Sequence, residues 1–78
     1  MNAARRKRID EVMAQLEPLR ELIEEILSEE QEAFDNMPEG LQQSSRGEAA
    51  ESAIGSLESA SNQIEEAINE LSAAQEAA

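Results

Sequence analysis

The sequence predicts an all-α fold, an antiparallel helical hairpin built from two long helices. In both halves of the chain, apolar side chains recur three and four residues apart, which places them along one side of a helix. Between the halves lies a short segment, residues 35–40, in which Pro38 and Gly40 interrupt a helix. A helix-start signal, Ser45 followed by Glu48, comes soon after this segment. These observations together indicate a helix, a connector and a second helix.

The first helix is expected over about residues 3–35. With Ile9 at heptad position a, its main apolar stripe occupies positions a and d: Ile9, Val12, Leu16, Leu19, Ile23, Ile26 and Ala33. A second row, at positions e and g, widens the stripe beyond the seam of a two-helix coiled coil. This second row comprises Met13, Leu22, Leu27 and Phe34. Pro18 lies at position c, on the side expected to face water, and it predicts either a kink or a break at which a new helical segment starts.

The second helix is expected over about residues 45–75, after a connector at about 36–44. Its apolar stripe comprises Ala50, Ile54, Leu57, Ile64, Ile68 and Leu71. Ser45 and Glu48 fit a capping box, in which the serine side chain accepts a hydrogen bond from the Glu48 amide. In the connector, Met37 and Leu41 are expected to close the end of the bundle.

Beside the second stripe, alanine repeats every seven residues. This alanine row comprises Ala53, Ala60, Ala67 and Ala74. Together with Ser61 at an a position, it would give the second helix a low-relief flank that another helix can approach closely. The alternative is that alanine recurs here only because it is the best helix former.

The size of the chain predicts association. We expect its 78 residues to form a single domain, residues 1–78, and a core of this size is marginal unless a partner, a metal or cross-links add stability. The sequence contains neither cysteine nor histidine, which removes disulfides and histidine/cysteine metal sites. Because one hairpin would leave part of its apolar stripe in water, we expect a homodimer in the form of a four-helix bundle.

The charge balance is strongly acidic and uneven. The chain has 6 Lys and Arg residues against 18 Asp and Glu residues, a formal net charge of −12. Four of the cations form one run, the basic block (Arg5, Arg6, Lys7 and Arg8), so residues 9–78 hold 2 basic and 18 acidic groups, a net charge of −16. Such a body is repelled by DNA and by anionic membranes and attracted to basic protein surfaces. The alternative is that the acidic surface only keeps the protein soluble.

Two sets of residues are candidates for partner binding. The first is the acidic face of the first helix: Glu21, Glu24, Glu25 and Glu32. The second is the basic block, whose alternative role is to neutralise the acidic end of the second helix, which in a hairpin would lie beside it: Glu66, Glu70 and Glu76. The block has no interleaved aromatic residues with which to stack bases, so direct DNA binding is not expected.

Catalysis is not expected either. Nucleophilic catalysis needs an activated Ser, Cys or Lys with a base beside it, and the serines here have only carboxylates as companions. The carboxylates belong to a face expected to be wet, where burial cannot drive their pKa values apart. We therefore predict a non-enzymatic protein with no cofactor and no metal. No run of about eighteen apolar residues predicts a membrane span, so the expected location is the cytoplasm.

The start of the second helix is the candidate ligand site. Free N–H groups and the helix dipole favour anions there, and Arg46 supplies the only positive charge of the region. The residues concerned are Ser44, Ser45, Arg46, Gly47 and Glu48. They predict a site for a phosphate-bearing small ligand such as a nucleotide; the alternative is a capping box with no ligand. Along one hairpin the basic block would lie at the opposite end, about 45 Å away at 1.5 Å per residue.

Residues 30–42, Glu-Gln-Glu-Ala-Phe-Asp-Asn-Met-Pro-Glu-Gly-Leu-Gln, followed by Ser-Arg-Gly-Glu at 45–48, resemble small acidic helical-hairpin proteins encoded by bacteriophages and prophages. In that group an acidic segment ending in aromatic-Asp-Asn-apolar-Pro-Glu precedes a helix start and an Ile/Leu heptad tail. Ser45 stands here where the group has an acidic residue. The group brings no catalytic residues. The resemblance implies phage origin, expression in the cytoplasm of a bacterial host and an accessory role such as countering host defence.

Three functions are compatible with these expectations. The first is an acidic inhibitor that binds and blocks a host defence factor with a basic surface, in the manner of a nucleic-acid mimic. The second is a protein that sequesters a nucleotide at the start of the second helix. The third is a structural or regulatory coiled-coil dimer.

Overall fold

The computed structural model describes residues 1–77, and 90% of the chain is helical. The elements are α1 (Ala3–Asp35), α2 (Glu39–Gln42) and α3 (Ser45–Glu76). The prediction of an all-α chain is confirmed, and residues 1–77 contain no strand. The short helix α2, a single turn inside the connector, was not expected from the sequence.

The long helices α1 and α3 lie side by side and run antiparallel. Near one end of the pair, the Arg6 side chain donates from Nε to the carbonyl of Gln75 at 3.1 Å. Near the middle, the Ser61 hydroxyl donates to Oε1 of Glu24 at 3.2 Å. The molecule is a rod of 58 × 16 × 12 Å with a radius of gyration of 17.6 Å. A compact chain of this length would have a radius of gyration of about 11–12 Å, so the hairpin has length and very little thickness.

The helix α1 begins after an asparagine cap and runs without interruption through its proline. Oδ1 of Asn2 accepts a hydrogen bond from the Arg5 amide at 2.9 Å, which satisfies one of the free N–H groups at the helix start. Pro18 lies inside the helix on its exposed side, and the break that the sequence allowed does not occur. The carbonyl of Ala14, which loses its donor to the proline, belongs to an exposed residue and can bond to water instead.

The connector folds back tightly between the long helices. The side-chain amide of Gln42 donates to the carbonyl of Phe34 at 2.9 Å, which adds a second bond to a carbonyl that already accepts from the Met37 amide at 3.0 Å. Met37 is half-buried, but Leu41 remains 37% exposed. Within one hairpin, then, Met37 is partly covered and Leu41 is not, and the expectation that both close the end of a bundle stays a prediction.

The core of the hairpin is thin and lies on the α3 side. The buried residues of α3 are Gly47, Ala50, Ile54 and Ser61, whereas α1 has no buried residue. In α1 the half-buried residues occupy positions a and e. The d-position residues Val12, Leu19 and Ile26 are instead 45%, 51% and 45% exposed. The apolar stripe of α1 is therefore divided: its a and e residues are half-buried, and its d row stays exposed, which agrees with the expectation that one hairpin leaves part of its stripe in water.

Among residues 1–77, no helix combines the length and the apolar character that crossing a bilayer requires.

Candidate functional site

The candidate ligand site lies where α2 meets the start of α3. The N-cap of α3 is Ser44, not Ser45, and no side chain caps the helix. The Ser44 hydroxyl donates backward to the carbonyl of Leu41, and the Glu48 amide donates to the Ser44 backbone carbonyl at 3.0 Å. The predicted capping box between Ser45 and Glu48 is therefore wrong. The helix does begin at Ser45, but its N-cap is Ser44, whose side chain bonds to the carbonyl of Leu41 in α2 instead of capping α3.

Gly47 is the point of closest approach between α2 and α3. A Cβ atom built on this glycine would lie 1.9 Å from the backbone oxygen of Gln42 and 2.3 Å from its carbonyl carbon. Only glycine allows the last turn of α2 to pack directly on the first turn of α3. Of the other candidate residues, Ser44 is half-buried, and Ser45, Arg46 and Glu48 are exposed. The site is thus an open helix end that rests on α2.

The basic block lies at the other end of the rod and contacts the C-terminal end of α3. Besides the bond from Arg6 to the carbonyl of Gln75, the Gln75 side-chain amide donates to the carbonyl of Arg6 at 2.9 Å and to Oδ1 of Asp10. A cation here satisfies a free carbonyl and lies at the negative end of the α3 dipole. No cation of the block forms an ion pair within the part of the chain that the structure describes. Its contact with α3 is made through backbone carbonyls and Gln75, not through the carboxylates Glu66, Glu70 and Glu76.

The other members of the block are exposed. Arg5 and Arg8 line an open, shallow groove of about 430 Å³ together with Met1, Ile9 and Val12. Lys7 is exposed beside them. The basic block and the start of α3 are therefore separate surfaces in one hairpin, because Arg46 lies about thirty residues from Gln75, or roughly 44 Å along α3.

The acidic face of α1 divides into two parts. Glu24 belongs to a polar cluster at the middle of the hairpin: its Oε1 accepts from Arg20 at 3.2 Å and from Ser61 at 3.2 Å. Ser61 is only 5% exposed, so this bond satisfies a buried hydroxyl. Glu21, Glu25 and Glu32 are exposed and form no ion pair within residues 1–77. Glu24 thus connects the two long helices, while the other three carboxylates face solvent.

Arg20 is the cation at the centre of this cluster. It also donates to Oε2 of Glu17 at 3.3 Å. The hydrogen bond to Glu17, together with the negative charges of Glu24, Glu17 and Glu65, raises the pKa of Arg20 above its ordinary value. Arg20 stays charged at any physiological pH, so this shift creates no pH switch. The cluster holds α1 against α3 and neutralises part of the acidic face.

The sequence did not predict the hydrogen bonds of several structural residues. Arg20 at position e and Ser61 at position a are polar residues at heptad positions that are otherwise mostly apolar. Their presence there could have indicated a polar contact between the helices. Asn2 directly before the first helix is an ordinary N-cap residue and could have been recognised. Gln42 and Gln75 gave no signal, because their bonds depend on how the connector and the helix ends come together.

One side of α1 exposes a row of apolar side chains. Val12, Leu19, Leu22 and Ile26, here named the outer stripe, are each 45–51% exposed on α1. No large apolar side chain of α3 is exposed to a similar degree within residues 45–76. Adjacent exposed apolar side chains of this kind are typical of surfaces that contact another molecule.

Within residues 1–77 there is no group of three or more Asp or Glu side chains placed to hold a metal ion. The grooves are open and shallow, and one is lined by Glu21, Glu24, Glu25 and Leu22 on the outside of α1. The surface features that could bind another molecule are the acidic face of α1, the basic block and the outer stripe. In comparisons with protein families, with curated proteins and with solved structures, no family model, protein or structure matches this chain.

Proposed function

We propose that this chain is a non-enzymatic helical-hairpin protein that binds a basic surface of another protein through the exposed carboxylates of α1. The observation that carries the proposal is the state of Glu21, Glu25 and Glu32, which are exposed and without an ion pair within residues 1–77. The one cation in the middle of α1, Arg20, is already bonded to Glu17 and Glu24. The exposed carboxylates are therefore free to meet cations of a partner.

The partner we propose is a bacterial host factor whose basic surface binds nucleic acid. The likeness of residues 30–48 to small acidic phage and prophage proteins favours a host protein in the cytoplasm. The distribution of charge favours a nucleic-acid-binding one, because a long acidic rod presents negative charge along a line, as a nucleic acid does. Binding would block the host factor by occupying the groove that its nucleic acid uses.

The working unit we propose is a homodimer in the form of a four-helix bundle. The outer stripe supports it, because its four large apolar side chains are about half-exposed and contribute only part of the free energy that full burial would give, so that a second copy covering them would add stability. The thin core supports it too, since only Ala50 and Ile54 are buried apolar residues in the part of the chain that the structure describes.

The binding proposal is tested with charge-reversed variants. A triple variant with Glu21→Lys, Glu25→Lys and Glu32→Lys reverses the three candidate carboxylates of α1 and spares Glu24. A matched control carries Glu51→Lys, Glu58→Lys and Glu66→Lys, which make the same change of charge on α3. Each protein is used to capture partners from a bacterial lysate, and the captured protein is then tested for competition between this chain and DNA.

We expect the parent protein and the α3 control to capture the same basic protein, to release it as salt rises, and to compete with DNA for it. The α1 variant is expected to lose it. Equal capture by the α1 variant would overturn the role of the acidic face, and capture without competition would overturn the mimicry.

The nucleotide-sequestering alternative has less support from the geometry. The hydroxyl of Ser44 is bonded to the Leu41 carbonyl, and Gly47 is buried against the backbone of Gln42, so two of the five candidate residues are occupied within the fold. Native mass spectrometry of gently purified protein tests it directly: a bound mass of a few hundred daltons that Arg46→Ala removes would restore this function to first place.

A further inference from the structure

We propose that the outer stripe is the contact surface for a second copy of this chain, and that the α1 helices of the two copies run antiparallel about a two-fold axis near Leu19. This inference rests on the proposed homodimer and gives it an interface and an orientation. The occupant of the stripe is decided by three observations: where the exposed apolar side chains lie, how the stripe is placed around α1, and which charges stand at its two ends.

The distribution of exposed apolar residues selects α1 as the contact helix. The outer stripe holds Val12, Leu19, Leu22 and Ile26, each 45–51% exposed. In α3 no large apolar residue between 45 and 76 is exposed to that degree. A copy that packed its α3 against the stripe would cover it with polar side chains. A copy that offers its own outer stripe buries apolar surface on both sides, which is the self-complementary contact of a two-fold dimer.

The position of the stripe around the helix matches a four-helix arrangement. The outer stripe occupies heptad positions d and g, and the half-buried residues facing α3 occupy a and e. At 3.6 residues per turn, the centres of these two faces are about 110° apart around the helix. A helix at the corner of a four-helix bundle touches two neighbours through faces that are roughly at a right angle. The helix α1 therefore has one face for α3 and a second face for the partner copy.

The charges at the ends of the stripe select the antiparallel orientation. The same d and g rows continue to Arg5 and Arg8 at the N-terminal end and to Glu29 at the C-terminal end, and all three residues are exposed. In a parallel pair, each arginine would meet its own copy, and so would Glu29. In an antiparallel pair, the cations of one copy meet the carboxylates of the other, which adds attraction at both ends at once.

The spacing along the helix gives the register. Val12 lies seven residues before Leu19, and Ile26 lies seven residues after it. An axis near Leu19 therefore brings Val12 next to the partner's Ile26, while Arg8 reaches the turn that contains the partner's Glu29. The apolar pairs and the charged pairs thus predict the same register between the two α1 helices, to within one helical turn.

Single cysteines test the contact face, because the chain has no cysteine of its own. Leu19→Cys places a thiol near the proposed axis, and Ser28→Cys is a matched control at an exposed position on another side of α1. Under mild oxidation we expect Leu19→Cys to form covalent dimers at least tenfold faster than the control, since a disulfide needs Cα atoms within about 7 Å. Circular dichroism confirms that each variant keeps its helices.

A mixing experiment tests the orientation. Val12→Cys and Ile26→Cys proteins, one carrying a mass tag, are refolded together and oxidised. We expect the mixed disulfide to exceed both of the symmetric ones. A parallel pair would instead give symmetric disulfides of each variant, and that result would overturn the proposal.

Charge reversal gives a second measure that does not depend on disulfides. We expect Arg8→Glu to weaken the dimer at least fivefold at low salt, because both ends of the interface are affected. Adding Glu29→Arg should restore the dissociation constant to within about twofold of the parent, whereas adding Glu25→Arg should not. Equal rescue by both would show that only the net charge matters and would overturn the register.

The outcomes separate this inference from the proposal on which it rests. A dimer in native mass spectrometry without cross-linking at Leu19 would overturn this interface and leave the dimer standing. A monomer at all concentrations would overturn both the interface and the dimer. Binding of the acidic face to a basic protein is measured separately and does not depend on either result.

Discussion

At the scale of single residues, the close contact between α2 and α3 requires a glycine at position 47. Gly47 lies under the last turn of α2, and a methyl group there would lie 1.9 Å from the Gln42 backbone oxygen. Gly55, on the same helix, has nothing within 4 Å of the corresponding position. The two glycines of α3 therefore form a natural pair of test and control.

We expect Gly47→Ala to destabilise the protein by about 1–3 kcal/mol, because the backbone of α2 must move away. Gly55→Ala should stabilise it by about 0.5–1 kcal/mol, because alanine loses less conformational entropy in a helix. Urea unfolding of both variants at one protein concentration measures the difference. Two stabilising substitutions would show that α2 does not rest on α3 in solution.

Which residues form the polar cluster could not be predicted from the sequence, for a physical reason. Glu24 was grouped with Glu21 and Glu25 because all three lie on the water side of a heptad diagram. Its carboxylate instead reaches the Ser61 hydroxyl across the hairpin, 37 positions along the chain. Such a bond depends on how far one helix is shifted along the other, and a periodic pattern does not fix that shift.

At the scale of elements, α1 tolerates a proline in its middle, and this must cost stability. Pro18 removes one hydrogen bond in a helix of 33 residues that continues on both sides. Its position on the exposed side lowers that cost but does not remove it.

We expect Pro18→Ala to raise the free energy of unfolding by up to about 3 kcal/mol, the difference in helix propensity between the two residues. For a domain of this size, each kcal/mol raises the midpoint of thermal unfolding by about 4–8 °C. Ser28→Ala, at another exposed site of α1, serves as the control and should gain only a few tenths of a kcal/mol. If Pro18→Ala gained no more than this control, the proline would lie at a local break and not in a continuous helix.

The elements themselves were predictable where the periodicity is long, and less so where the chain turns. Two stretches of more than four heptads predicted helices because each repeats the same signal many times. The connector holds only nine expected residues, and neither the turn of α2 nor the cap at Ser44 follows from a repeated pattern. The exposure of the d row could not be predicted either. Val12 and Ile9 are equally apolar, and only the position of α3 makes one exposed and the other half-buried.

At the scale of the whole molecule, stability should depend on protein concentration. If the outer stripe is covered by a second copy, association and folding are linked. We expect the midpoint of thermal unfolding to rise as the protein concentration is raised a hundredfold, and Leu19→Ser to abolish this dependence. A midpoint that stays constant for the parent protein would indicate that the hairpin is stable alone.

The rod shape also sets how closely the charges follow one another along its axis. A net charge of −12 over a length of 58 Å is about one charge per 4.8 Å. Two such rods side by side would carry about one charge per 2.4 Å, and double-stranded DNA carries one per about 1.7 Å. A dimer thus approaches the linear charge density of the duplex, while a single hairpin falls well short of it. Pairing through the outer stripe would therefore do more than bury apolar surface: it would turn a moderately acidic rod into a polyanion that draws counterions, and competes for cationic grooves, on nearly the same terms as DNA.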